Sequence, residues 1–104
     1  MKPDGAIPDG VGRFVGKIPG GKLLKLDAEI RGGRVASLRI RGDFFAHPEE
    51  AFDRVEASLE GVAAADFARE LSLAVEREGV VIFGIGVGDL ADAFERAVDG
   101  IQAS

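Results

Sequence analysis

Between Leu23 and Gly42 the chain alternates apolar and polar residues twice, once on each side of a glycine pair. Leu24, Leu26, Ala28 and Ile30 alternate with Lys25, Asp27 and Glu29; after Arg31-Gly32-Gly33, Ala36, Leu38 and Ile40 alternate with Ser37, Arg39 and Arg41. Successive side chains of a strand point to opposite faces, so this period of two reads as two half-buried strands joined in a β-hairpin. The pattern also limits the register, because directly opposed residues share a face. A two-residue Gly32-Gly33 turn would set Leu26 opposite Arg39 and mix the faces. A loop of odd length, Arg31 to Gly33, instead pairs Ile30 with Arg34, Ala28 with Ala36, Leu26 with Leu38 and Leu24 with Ile40, and puts Lys22 opposite Gly42. The expected hairpin therefore has the odd loop, with a glycine in the left-handed region.

Helical spacing takes over downstream. His47 occupies the expected N-cap, Pro48 the first helical position, and Glu49 and Glu50 the first turn, where carboxylates suit the helix dipole. Phe52, Val55 and Leu59 follow on one face, and Gly61 ends the helix. A second helix is expected from about Ala64 to Arg77, with Phe67, Leu71 and Val75 on one face and Gly79 as its stop. Val80 to Phe83 is a β-branched run, read as a short buried strand or extended connector. The last helix is expected from Val87 to Asp99, repeating Leu90, Phe94 and Val98, with the Asp89 carboxylate at its start. Upstream, Arg13 to Ile18 is a short extended segment, Pro19-Gly20-Gly21 a turn, and residues 1–12 a flexible lead-in. Strands first and helices after give an α+β fold, an antiparallel hairpin-based sheet with about three helices packed on one face, in a single domain over residues 13–104.

The 104 residues suffice for one core. There is no cysteine, so disulfides, thiolate nucleophiles and thiolate-ligated metals are excluded. No apolar run approaches the ~20 residues of a membrane span, and the polar, Gly/Pro-rich start is not that of a signal peptide. The expected location is cytoplasmic. At a formal charge of −5, with acids and bases mixed along the chain and neither Tyr nor Trp, a nucleic-acid partner is not expected. The absence of asparagine hints at a thermophilic source, but a GC-rich genome explains it equally well.

Three stretches invite a chemical reading. Gly16 to Lys22 satisfies the first seven positions of the phosphate-binding GxxxxGK, but Leu23 stands where a hydroxyl would hold magnesium, and the segment runs into a strand rather than a helix. It remains either a solvated turn or a nest of amides flanked by Lys17 and Lys22 that meets an anion held by another protein. Gly84, Gly86 and Gly88 have the wrong spacing for a dinucleotide fingerprint and suit close helix packing. Gly42 to Pro48 holds the only histidine, His47; Asp43 is expected to satisfy loop amides and Phe44 or Phe45 to plug the core. Ser37, Ser58, Ser72 and Ser104 lie on a strand, on helices or at the end, none in an activating turn. No complete catalytic set and no metal-ligating set emerges, so a binding or accessory module is expected before an enzyme.

Three segments in order, KIPGGKLLKLDAEI, VASLRIRGDFFAHPEEAFDRVEASLEG and VVIFGIGVGDLADAF, resemble the carboxy-terminal accessory domain of lipoate–protein ligases, especially its stand-alone small-subunit form in archaea. The marks are GGKL at Gly20–Leu23, GDFF at Gly42–Phe45 and PEE at Pro48–Glu50, and the resemblance covers about Gly16 to Gly100. It implies a heterodimer in which a catalytic subunit holds ATP, magnesium and lipoate, forms lipoyl-adenylate and passes the lipoyl group to a lysine of an acceptor domain. The small chain is then a non-catalytic subunit lying over that site, with Lys17, Gly20, Gly21, Lys22, Asp43 and Phe44 facing the partner and the adenylate. The competing expectation is a stand-alone protein–protein interaction domain whose partner has no connection with lipoate. The fold also resembles iron–sulfur assembly scaffolds, a role that the missing cysteines argue against.

Overall fold

Residues 7–101 are described by a computed structural model. Residues 1–6 of the expected lead-in lie outside that range, and its last three, Gly10, Val11 and Gly12, already belong to a strand. The hairpin pattern materialises as a three-stranded antiparallel sheet of β1 (Gly10–Lys17), β2 (Leu23–Arg31) and β3 (Arg34–Gly42), in the order β1-β2-β3. After it come β4 (Phe45–His47), α1 (Glu49–Leu59), a 3-10 turn at Ala64–Asp66, α2 (Phe67–Glu78), β5 (Val81–Phe83) and α3 (Val87–Asp99). The class is α+β. Helix α3 packs on β1 and β2 and α1 on β3, and α2 contacts both of these helices.

The hairpin turn departs from expectation. Arg31 pairs with Arg34, so the loop is the two-residue Gly32-Gly33, both at positive φ (56° and 74°) as a type I′ hairpin turn requires. Parity is restored by a bulge: Ile30 pairs with Val35 but Glu29 with Ser37, leaving Ala36 over. Val35 takes the core position expected of Ala36, which is exposed. Beyond the bulge the register is Ala28 with Leu38, Leu26 with Ile40 and Leu24 with Gly42. The face expected of β2 is correct: Leu24, Leu26, Ala28 and Ile30 are all buried.

Helix α3 has the bounds its spacing demands, and the Gly86 amide donates to Asp89 Oδ2 at 2.9 Å. Helix α2 ends on Gly79 at φ 66°, with the residues from Ala64 drawn into the tighter 3-10 turn. Phe67 stacks on Phe94 in the core with ring centroids 3.7 Å apart. Helix α1 starts one residue later than expected, because Pro48 has ψ 149° and is itself the N-cap. His47 does not cap the helix; it pairs with Val81 in a second, two-stranded sheet made by β4 and β5. That sheet also corrects the burial expected of the late strand, since Val81 and Phe83 are each about half exposed.

Candidate functional site

The two sequence marks meet at one end of the three-stranded sheet. Ile18-Pro19-Gly20-Gly21 closes as a β-turn in which the Gly21 amide donates to the Ile18 carbonyl at 2.9 Å, with Pro19 in second place and Gly20 at φ 96° in third. The Ile18 amide then donates to the Lys22 carbonyl at 2.9 Å, and Lys17 pairs with Leu23 at the base of the turn. Gly20, Gly21, Lys17 and Lys22 are all exposed. Among the described residues the amides of Gly20 and Lys22 donate to no protein acceptor, so the turn offers two amides between two ammonium groups.

The other mark reaches the same place through its backbone. The Asp43 amide donates to the Leu23 carbonyl at 2.9 Å, and the Leu23 amide donates to Asp43 Oδ2 at 3.3 Å. Asp43 therefore serves an amide twenty residues away rather than those of its own loop. Gly42 has to be glycine: a Cβ there would lie 2.4 Å from the Leu23 carbonyl oxygen. Phe44 is turned inward, edge-on to Phe52 with centroids 5.5 Å apart, and is the core plug, whereas Phe45 is exposed. The Gly84 loop lies against this segment, the position of its absent Cβ being 3.1 Å from the Asp43 carbonyl oxygen. Lys17, Gly20, Gly21, Lys22 and Asp43 thus share one sheet end, and Phe44 anchors that end from within. The expected pairing of Lys22 with Gly42 is shifted by the bulge, which puts Leu24 opposite Gly42.

Two cations not foreseen belong to the same end. Lys25 lies directly opposite Arg41 on the outer face, beside Val15. Like charges directly opposed in a ladder are unfavourable, and the next row shows the favourable arrangement, with Asp27 between Arg13 and Arg39 and ion-paired to Arg13. Among the described residues Lys17, Lys22, Lys25 and Arg41 make no ion pair. The placing of Lys25 opposite Arg41 depends on the bulge.

A groove of about 330 Å³ runs beside the turn, lined by Phe14, Lys17, Pro19, Asp89, Asp92 and Arg96 among others. Its two acids balance its two bases, so it has no pronounced preference for an anion. A second cavity of about 320 Å³ lies between the start of α2 and α3, over Phe67 and Phe94, away from this end. Asp43 meets Leu23 and His47 is exposed on β4, so the structure gives no orienting hydrogen bond between them. Among the described residues no group of three His, Asp or Glu side chains is placed to hold a metal ion. No described helix is long and apolar enough to cross a membrane.

Neither the protein families nor the curated proteins contain a match to this sequence. Among solved structures, the fold is similar to that of a chain from the structure of an archaeal lipoylation system, a bi-partite lipoate protein ligase and its E2 lipoyl domain from Thermoplasma acidophilum. The TM-score is 0.67 at 22% identity, over 86% of this chain and 97% of that one. The matched stretch takes in nearly the whole of that chain and most of this one. At 22% identity the likeness is one of fold.

Proposed function

We propose that this chain is the non-catalytic accessory subunit of a two-component lipoate–protein ligase, required when its catalytic partner activates lipoate with ATP to lipoyl-adenylate before transfer to an acceptor lysine. The observation that carries this reading is the likeness of fold, over most of this chain, to a chain from the structure of a bi-partite ligase and its E2 lipoyl domain, with the GGKL and GDFF marks brought together at one exposed sheet end. ATP, magnesium and lipoate belong to the catalytic subunit in this reading. Nothing in the turn is built to hold them alone, since Leu23 offers no hydroxyl and the turn feeds a strand.

The contribution of this chain is positional. Its sheet end closes over the partner's reaction centre, the ammonium groups of Lys17 and Lys22 and the free amides of the turn meet phosphate charge there, and water is excluded. Asp43, held by Leu23, fixes the turn relative to the second sheet. The pair works in the cytoplasm, and acceptor lipoyl domains approach the catalytic subunit rather than this chain alone.

Reconstitution tests the reading. The catalytic subunit with wild-type chain should form lipoyl-adenylate from ATP and lipoate, and neither protein alone should do so at a comparable rate. Lys22→Ala, at an exposed turn, should leave the melting temperature unchanged and slow adenylation about tenfold, the scale of one hydrogen bond to a charged group. Adenylate formation unaffected by Lys22→Ala would remove the proposed role of the turn; adenylation by the isolated chain would overturn the accessory role itself.

A further inference from the structure

The second sheet has one face against the core and one face bare. In the β4–β5 pairing Phe45 lies opposite Phe83 and His47 opposite Val81, so these four side chains share a face, while Ala46 and Ile82 turn inward and are half buried. Phe45 is 78% exposed, Phe83 55% and Val81 52%. Single exposed apolar residues are ordinary, but a cross-strand pair of phenylalanines with a valine beside it is a contiguous patch. At about 200 Å² per ring the two phenylalanines expose roughly 270 Å², about a third of what one side of a stable interface covers. Such a patch is the size of an interface centre, where aromatic anchors carry most of the affinity.

The surroundings say what would cover it. A groove of about 210 Å³ adjoins Phe45, with Ile40, Ala46 and Phe52 at its base and Glu49 and Asp53 among its lining. Glu50 adds a third carboxylate to the same first turns of α1. A second copy of this chain docking through the same face would bring these acids against their own copies. A phosphate backbone or an anionic lipid surface is disfavoured by the same charges. The patch also continues into the candidate site, because β4 follows Asp43 by one residue and Gly84 rests on the Asp43 backbone. A protein seated on the ribbon therefore reaches the Lys17–Lys22 turn without leaving the surface.

We propose that the outer face of the β4–β5 ribbon is where the catalytic ligase subunit docks, meeting Phe45, Val81 and Phe83 with apolar side chains ringed by Lys or Arg. This rests on the accessory-subunit reading and adds to it the surface and the chemistry of the partner.

The test is titration calorimetry of the full chain against the catalytic subunit, with analytical ultracentrifugation of the chain alone. Phe45→Ser combined with Phe83→Ser should weaken binding by about a hundredfold or more. Phe45→Ser by itself, at the more exposed ring, guards against a folding defect, and circular dichroism checks each variant. Glu49→Lys with Asp53→Lys should weaken binding about tenfold at low salt, and the loss should shrink at high salt. Leu73→Ser, at a half-exposed site on α2, is the control and should bind as wild type. If wild type binds and the phenylalanine variants bind within threefold of it, the docking surface is elsewhere and the accessory reading stands. If wild type does not bind, both fall. If the free chain dimerises and Phe45→Ser abolishes the dimer, the occupant is a second copy and the assignment to the catalytic subunit is wrong.

Discussion

Asp43 and Gly42 show how narrowly single residues define the candidate site. Asp43 meets Leu23 twice, through its amide and through its carboxylate, and that pair of bonds joins the GDFF segment to the base of the PGGK turn. Gly42 permits the approach, since any side chain there would meet the Leu23 carbonyl oxygen at 2.4 Å. The consequence is an ordering of stabilities. Gly42→Ala must move backbone and should cost on the order of 2–3 kcal/mol. Asp43→Ala loses one exposed hydrogen bond, worth about 1 kcal/mol. Asp43→Asn keeps an acceptor and should lie near wild type. Urea denaturation with a common m-value measures all three, and a Gly42→Ala variant as stable as wild type would show that the two backbones do not approach this closely.

At the scale of elements, β3 is an edge strand whose outer side is covered. The Ile40 amide donates to Glu56 Oε2 of α1 at 2.7 Å, and Val35 exchanges backbone bonds with the segment after α1. Burial of Glu56 between helix and sheet raises its pKa; the Ile40 hydrogen bond opposes that shift, and the Asp53 charge adds to it. A carboxyl whose pKa is raised on folding favours the folded state while protonated, and that stability is lost as the pH rises past its unfolded value through the folded one. Glu56→Gln keeps an acceptor for Ile40 without the charge. It should therefore be more stable than wild type at pH 7, with the difference closing as the pH is lowered towards 4. Melting temperatures of both proteins across that range test this, and a gap that widens on acidification would contradict it. The same elements show what sequence alone could convey. Helix α3 was legible because Leu90, Phe94 and Val98 repeat at helical spacing and Asp89 marks the start. The face of β2 was legible because its alternation is unbroken. The bulge at Ala36 was not: an odd loop and a two-residue turn with one extra residue satisfy the same parity, and only the preference of strand twist for the Gly32-Gly33 turn separates them. Strands of three residues such as β4 and β5 carry too few alternations to register as a period. The site's outline survived because Gly42 and Asp43 fall beside the PGGK turn under either register, opposite Lys22 and Gly21 in the expected one and against Leu24 and Leu23 in the true one, whereas the Lys25–Arg41 row appears only under the true one.

Over the whole molecule the charges are not mixed, as the sequence reading has them, but separate by segment and so by layer. Residues 10–42, the three-stranded sheet and its turns, carry eight Lys and Arg against two Asp and Glu, whereas residues 43–101 carry four against fourteen. A net charge of −5 with a pI near 4.8 therefore describes neither side. The molecule extends 18 Å along its shortest axis, and the screening length is about 10 Å at 0.1 M salt. A surface facing the sheet thus responds mainly to the sheet's own cations, and a partner whose site carries phosphate charge is drawn to the end where Lys17, Lys22, Lys25 and Arg41 make no ion pair among the described residues. The separation can be measured without any partner. At pH 7 and about 0.1 M salt, where that screening holds, the chain should be retained on a sulfonate cation exchanger despite its net negative charge. Lys25→Ser with Arg41→Ser should remove most of that retention. Arg69→Ser with Arg77→Ser, on α2, changes the net charge by the same amount at cations that sit beside carboxylates, and should elute close to wild type. Equal shifts for the two double variants would mean that only total charge matters and that the basic face has no separate existence; unequal shifts in the stated order locate the attraction on the sheet, at the end where the turn and Asp43 meet.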